Sequence, residues 1–256
     1  MFKNDTNYLD QHFLIDEDII NKYLDFPKFN KKDIVLEIGP GKGTLTKKIA
    51  PQVKKMYAIE LDERLKSYLD IIANLEVIWG SVLDVEIPKV NKIITSLPYS
   101  IIEPFIYKMI KADFNEMYML MGDKFVLNVV NKEITKLSVI TNSFFKTEKL
   151  LEVPPMAFDI PPRTDSFIVK MQKITKPDSR KYQLYREIYL LDEKKIKNSL
   201  MEALIRLDSL TKKEAKEIIK NMSIPEKILN EKFSNLSNSD LKILDKVLEN
   251  FQNYQK

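Results

Sequence analysis

Three of the five glycines in this 256-residue chain fall within Glu37-Ile38-Gly39-Pro40-Gly41-Lys42-Gly43. The apolar run Ile34-Val35-Leu36 comes directly before the glycines. The acidic pair of Glu60-Leu61-Asp62 follows roughly twenty residues later, the spacing of a nucleotide-binding βαβ unit. A buried strand, a glycine-rich turn, a helix and then a carboxylate is how a parallel α/β domain holds a nucleoside-containing ligand. Glycine is scarce elsewhere, so the cluster is not compositional. Its G-x-G-x-G spacing is tighter than the dinucleotide fingerprint, which suits a nucleoside without a pyrophosphate, such as S-adenosylmethionine. In this reading Gly39 bends the chain, while Gly41 and Gly43 let the backbone approach a ligand. Glu60 accepts hydrogen bonds from both ribose hydroxyls. A purely structural tight turn is the alternative.

From Ile34 to Gln172, short apolar runs alternate with amphipathic segments. The pattern predicts strands over 34–38, 56–61, 76–79, 92–95, 116–121, 149–153 and 166–171, with helices over 44–50, 63–72, 104–112, 124–130 and 136–145. Several strands are nearly continuous in hydrophobicity, as strands covered on both faces must be. Such alternation gives a doubly wound, mostly parallel sheet. Only a short Pro-rich link, Pro154 to Arg163, separates the last two strands. That is too short for a helical crossover, so an antiparallel edge is expected. After Lys176-Pro177-Asp178-Ser179 the pattern becomes helical only. Thr211-Lys212-Lys213-Glu214 has capping-box form, and Leu241, Leu244, Leu248 and Phe251 recur at helical spacing. Two domains are expected, 1–176 and a small all-α domain over 177–256.

Composition removes several kinds of chemistry. The absence of cysteine excludes disulfides, thiolate catalysis and Cys-based zinc sites. A single histidine, His12, speaks against a His-rich metal centre or a Ser-His-Asp triad, so no metal site is expected. No apolar stretch approaches the ~20 residues that span a bilayer, and the opening residues lack a signal-peptide core. The expected setting is the cytoplasm, with no membrane partner. Net charge is +4. From Gln172 onward there are 18 Lys+Arg and 13 Asp+Glu, a net of +5, against 23 and 24 before it, a net of −1. This uneven balance suits contact with phosphates, and an ordinary Lys/Glu-rich helical surface would give it too.

Thr95-Ser96-Leu97-Pro98-Tyr99-Ser100 closes the fourth strand, at the edge where ligands of parallel sheets bind. Proline fixes the turn, and an aromatic ring can lie flat on a planar base. A polar-x-Pro-aromatic turn suits methylation of an exocyclic amine. The lone pair of that amine is delocalised into its ring. A side-chain oxygen and a backbone carbonyl accepting its two hydrogens, here at Ser96 and Leu97, would localise the lone pair. Tyr99 would hold the extruded base in line with the methyl donor. No strong general base is required. Ser81, just past the third strand, is placed to face the base of the cofactor, while Trp79 is expected to pack in the core. A structural β-turn at 96–99 is the bland alternative.

These motifs resemble, in order, the ribosomal small-subunit RNA adenine dimethyltransferases of the KsgA type. The resemblance rests on Asp10-Gln11-His12-Phe13-Leu14, the glycine turn, Ile59-Glu60-Leu61-Asp62 and Leu97-Pro98-Tyr99. It continues through Val153-Pro154-Pro155-Met156-Ala157-Phe158 and Pro161-Pro162-Arg163-Thr164-Asp165-Ser166, so that it spans residues 8–172. It implies a Rossmann-like methyltransferase fold, S-adenosylmethionine as donor, and N6 of adenine in ribosomal RNA as acceptor, with two methyls added. It places Gln11, His12 and Leu14 against the cofactor and Phe158 on the target adenine. Buried structural packing is the other reading of His12. The implied partner is ribosomal RNA or a small-subunit precursor, met by a monomer.

Some positions depart from the family's usual residues. Ser96 stands where Asn is usual and offers one acceptor on a shorter arm. Ser81 stands where Asp is usual, which is expected to lower cofactor affinity. The stretch from Met121 to Ser138 lacks most of a basic, glycine-containing loop, and Asp192-Glu193 interrupt a basic run after Tyr189. These changes suit an alternative function, an RNA- or ribosome-binding assembly factor with little or no methyl transfer. A methyltransferase for a different RNA or for a protein side chain is a third reading.

Overall fold

A computed structural model of the protein describes residues 12–131 and 133–251. The chain divides into two compact units, residues 1–126 with 147–173, and residues 127–146 with 174–256. The first is built on seven strands: β1 (Ile34–Ile38), β2 (Lys55–Glu60), β3 (Leu75–Trp79), β4 (Lys92–Ser96), β5 (Glu116–Gly122), β6 (Phe145–Val153) and β7 (Ser166–Lys173). Their order in the sheet is β3-β2-β1-β4-β5-β7-β6. The first five run parallel, β7 is antiparallel to β5, and β6 takes the edge beside β7. This is the doubly wound sheet expected, with its antiparallel edge.

Burial follows position in the sheet. β1, β4 and β5 sit centrally and carry almost continuously buried side chains. The edge strands β3 and β6 are half-buried or alternating. Trp79 is accordingly half-buried rather than in the core. Helices α1 (Glu17–Asp25), α2 (Thr44–Ile49), α3 (Lys66–Leu69) and α4 (Ile102–Lys111) belong to this unit. α1 begins at Asp16, whose side chain accepts the N–H groups of Asp18 and Ile19 and caps the helix. Its buried face, Ile20, Tyr23 and Leu24, packs into a core shared with Val35, Ile94 and Leu120. The helix expected over 63–72 is shorter: a 3-10 turn over Glu63–Leu65 leads into α3. Beyond it Ile71 is 76 % exposed and Asn74 adopts a left-handed φ of 67°, so neither burial nor backbone prolongs the helix.

The second unit is helical, with α6 (Lys136–Phe144), α7 (Arg180–Leu190), α8 (Ile196–Asp208), α9 (Lys212–Asn221), α10 (Glu226–Leu229) and α11 (Asn238–Asn250); α5 (Asp123–Val130) contains the point of division. The capping box at Thr211 and Glu214 is present, and Leu241, Leu244 and Leu248 are fully buried. The expected boundary at 176/177 is corrected in one respect: residues 127–146 also belong here. The cause lies in the partners of α6. The Phe144 carbonyl accepts the Ile174 N–H at 3.0 Å, and its ring meets Tyr189 edge-on at 5.5 Å. The Arg186 guanidinium lies 4.8 Å from the same ring.

Candidate active site

Between β1 and β4 the sheet order reverses, and the carboxyl ends of such strands form the ligand crevice of doubly wound folds. The ends of β1, β2, β3 and β4 all contribute to one cavity there, all of it within the first unit.

The glycine turn is built around Glu60. Gly39, Gly41 and Gly43 all have left-handed φ, at 72°, 58° and 78°. The Glu60 carboxylate is 5 % exposed; Oε2 accepts the Gly41 N–H at 3.1 Å and Oε1 accepts the Asp62 N–H at 2.9 Å. Its own carbonyl accepts the Gly80 N–H at 2.8 Å. One acid thus joins the turn after β1, the end of β2 and the end of β3. A carboxylate has roughly four acceptor positions, so two remain for a ligand. Gly39 and Gly41 line the cavity. A Cβ on Gly41 would stand 2.7 Å from Phe13 Cε1, so the ring of Phe13 adds to the left-handed backbone in demanding glycine there. Gly43 does not line the cavity. It opens α2, and its Cβ would strike Ile72 Cδ1 at 2.9 Å, so it serves helix packing rather than approach to a ligand.

A second wall is made by two segments far apart in sequence. Leu14 and Phe158 form an antiparallel bridge. Phe13 donates its N–H to Asp159 Oδ1 at 2.9 Å, and Asp159 returns its N–H to the Phe13 carbonyl at 2.9 Å. Ile15 donates to the Ala157 carbonyl at 2.9 Å. His12 Nδ1 lies 2.7 Å from the Ile160 carbonyl; a carbonyl only accepts, which makes Nδ1 the protonated nitrogen. The rings of His12 and Phe158 meet edge-on at 6.4 Å. Buried Leu14 and Phe158, with His12 and Phe13, therefore enter the cavity as one paired lid. Gln11 lies outside the described residues.

The third wall is the end of β4. Thr95 is buried and its Oγ1 donates to the Ile38 carbonyl at 3.2 Å, fastening β4 to β1. The Ser96 carbonyl stands 3.6 Å from the position a Gly39 Cβ would occupy, so the two strand ends nearly touch. Ser96, Leu97 and Pro98 line the cavity, and Tyr99 opens a 3-10 turn over Tyr99–Ile101. At the end of β3, Ser81 also lines it, with Oγ accepting the Leu83 N–H at 3.2 Å.

Glu37, Tyr23 and Phe13 line the cavity too, though no motif in the sequence gives them a site role. Glu37 is 2 % exposed on β1 and accepts the Thr46 hydroxyl at 2.6 Å. Burial pushes its carboxyl up to about 7, Thr46 opposes the shift and the charge of Glu60 adds to it. Its signal was an acid inside an otherwise apolar strand. The fully buried Tyr23 hydroxyl reaches the Thr95 carbonyl at 3.0 Å and the Tyr118 carbonyl at 2.9 Å, joining β4 to β5 next to Ser96. Burial pushes its phenol far above the usual range. Nothing in the sequence marked it. Among the described residues, no cluster of His, Asp and Glu could hold a metal, and no helix is long and apolar enough to cross a membrane.

A family model described as ribosomal RNA adenine dimethylase matches residues 1–242. A probable ribosomal RNA small subunit methyltransferase A of Methanococcoides burtonii is 32% identical over 249 residues, covering 91% of this chain and 89% of the relative. Its counterpart in Methanosarcina barkeri is 31% identical over 247 residues, covering 91% and 84%. A dimethyladenosine transferase from Plasmodium falciparum shares the fold, with TM-score 0.63 and 24% identity over 94% of this chain and 97% of that one. The family match runs through the glycine turn, the Glu60 hub, the β4 end and the lid alike, and the chain belongs to the ribosomal RNA adenine dimethylase family.

Proposed function

We propose that this protein transfers methyl groups from S-adenosylmethionine to N6 of an adenine in small-subunit ribosomal RNA, two per base. One observation carries the reading: in a chain of this family, the Glu60 hub and the Ser96-Leu97-Pro98 turn face one cavity closed by the Leu14–Phe158 lid.

The residues present suit this donor. A buried carboxylate, oriented by two backbone N–H groups, is an acceptor fitted to a ribose diol. The Glu60 carboxylate, 5 % exposed within apolar walls, favours a cationic nucleoside over an anionic one. Bound there, S-adenosylmethionine would supply an activated methyl group on sulfur. Glu60 would hold its ribose, Ser81 its base, and Gly39, Gly41, Gln11, His12 and Leu14 its flanks. Ser96 and the Leu97 carbonyl would accept the two amine hydrogens of the adenine, turning its lone pair toward the methyl. Pro98 holds that turn, while Tyr99 and Phe158 would stack on the extruded base. The lid excludes water from the reacting atoms. We further infer a cytoplasmic monomer acting on a small-subunit precursor.

The test is incubation of unmethylated small subunits with labelled S-adenosylmethionine, followed by digestion to nucleosides. Label in N6,N6-dimethyladenosine is expected, and its absence in the presence of bound protein would overturn the reading. One observation favours the alternative of an assembly factor without transfer: Ser81 Oγ already serves the Leu83 N–H. Activity that appears only in Ser96→Asn would decide for that alternative.

A further inference from the structure

Tyr23, on α1, is fully buried and lines the same cavity as Ser96 and Leu97. Its hydroxyl has one hydrogen, shared between the Thr95 carbonyl at 3.0 Å and the Tyr118 carbonyl at 2.9 Å, since carbonyls only accept. These carbonyls belong to β4 and β5, which their own ladder already joins from Lys92 opposite Glu116 to Ser96 opposite Leu120. The strands therefore pair without this phenol. Its neighbours on the buried face of α1, Ile20 and Leu24, are apolar and join the same core, so packing alone asks for no hydroxyl. Burying one costs stability unless it is bonded, and one of its acceptors lies a single residue before the end of β4.

The Thr95 carbonyl belongs to the peptide that carries the Ser96 N–H. That peptide is planar, so holding its oxygen fixes the plane in which the chain enters Ser96. Two contacts hold the same stretch from the side of β1. Thr95 Oγ1 donates to the Ile38 carbonyl at 3.2 Å, and the Ser96 carbonyl lies 3.6 Å from where a Gly39 Cβ would stand. β1 thus secures the Thr95 side chain and the Ser96 carbonyl, while α1 secures the peptide between them. Burial pushes the phenol far above its usual range, so it stays a donor. A serine carries its oxygen on one side-chain torsion, so little beyond the backbone corrects an error in its aim.

We infer that Tyr23 is a positioning residue for methyl transfer, acting through the Thr95–Ser96 peptide to set where Ser96 and the Leu97 carbonyl present their oxygens to the adenine amine. The inference rests on the methyltransferase reading of this site.

The test is Tyr23→Phe in the full chain, which keeps the ring and removes the hydroxyl, assayed on unmethylated small subunits. kcat should fall about tenfold or more, the scale on which misplaced reacting groups lose rate, while S-adenosylmethionine affinity by calorimetry stays within about twofold. Tyr118→Phe is the control. It removes the bond from another buried phenol to the Phe26 carbonyl, 3.3 Å away at the C-terminal end of α1, and should leave kcat unchanged. Wild-type kcat in Tyr23→Phe would overturn the inference and leave the methyltransferase reading standing. An equal kcat loss in Tyr118→Phe, or a Tyr23→Phe protein without a cooperative urea transition, would make the hydroxyl structural and overturn it too. A matching loss of cofactor affinity would place Tyr23 on the cofactor and do the same. Wild-type protein that binds small subunits and transfers no methyl would overturn the reading and the inference with it.

Discussion

Glu37 makes stability depend on pH in the direction opposite to most carboxylates. Its side chain is buried on β1, with the Thr46 hydroxyl as its hydrogen-bond donor, and its carboxyl is pushed from an ordinary 4.5 up to about 7. The unfolded chain releases this proton near 4.5, while the folded chain keeps it until about 7. Between those values the native state binds more protons, so stability falls as pH rises. The contribution is fully present below 4.5 and is lost as pH climbs through the folded value. At 1.36 kcal/mol per pH unit the whole effect is about 3 kcal/mol, of which about 2 kcal/mol falls between about pH 5.5 and about pH 8. Glu37→Gln has nearly the same shape, its amide oxygen can take the Thr46 hydroxyl, and it cannot ionise. Urea unfolding of both proteins across that pH range, taken as a difference, cancels every other titrating group. The variant is expected to gain about 2 kcal/mol on the wild type from the acid to the alkaline end. A difference that is flat with pH would refute the reasoning. A difference of opposite slope would mean that the carboxylate is stabilised in its charged form.

Three further outcomes follow from the same geometry. Glu60→Gln replaces a charged acceptor by a neutral amide whose single oxygen is already claimed by two backbone N–H groups; calorimetry should show S-adenosylmethionine binding weakened at least roughly tenfold, since a hydrogen bond to a charged group is worth about 1.5–3 kcal/mol. Unchanged affinity would remove Glu60 from the ribose site. Gly41→Ala forces a side chain onto φ 58° and against the Phe13 ring. At about 1–2 kcal/mol for the left-handed backbone alone, thermal melts should shift downward by several degrees, and an unshifted melt would contradict the assignment. Phe158→Ala removes a ring that is 4 % exposed and bridged to Leu14. It should cost about 3 kcal/mol in urea unfolding and lower kcat more than the affinity for S-adenosylmethionine. An equal loss in both would place the ring on the cofactor instead of the acceptor.

What the sequence made legible, and what it did not, follows from how far each contact reaches along the chain. The glycine turn and Glu60 are joined within one βαβ unit, at a separation of 19 residues, and the backbone demand appears as residue type. The alternation of apolar runs gave the seven strands because central strands buried on both faces lose their polar positions. The lid was legible only as two separate motifs. His12 and Ile160 are 148 residues apart, and their pairing rests on backbone hydrogen bonds that no periodicity reveals. The same limit misplaced residues 127–146, whose helical pattern was clear but whose partners Ile174, Arg186 and Tyr189 come later in the chain.

Gly41 shows that even a local motif can have a distant cause. As residue type it announces a turn that admits a ligand, yet the atom nearest its missing Cβ belongs to Phe13, in the lid. Glycine there lets the lid ring come down over the turn. Lid and turn are therefore one packing unit. If so, Phe13→Ala should relieve the steric part of the Gly41→Ala defect. The double variant should then be more stable than the sum of the two single changes predicts, by at least about 0.5 kcal/mol, the usual floor for coupled neighbours. Strict additivity in urea unfolding would show that the backbone strain at Gly41 is the whole cost and that the ring makes no demand on this position.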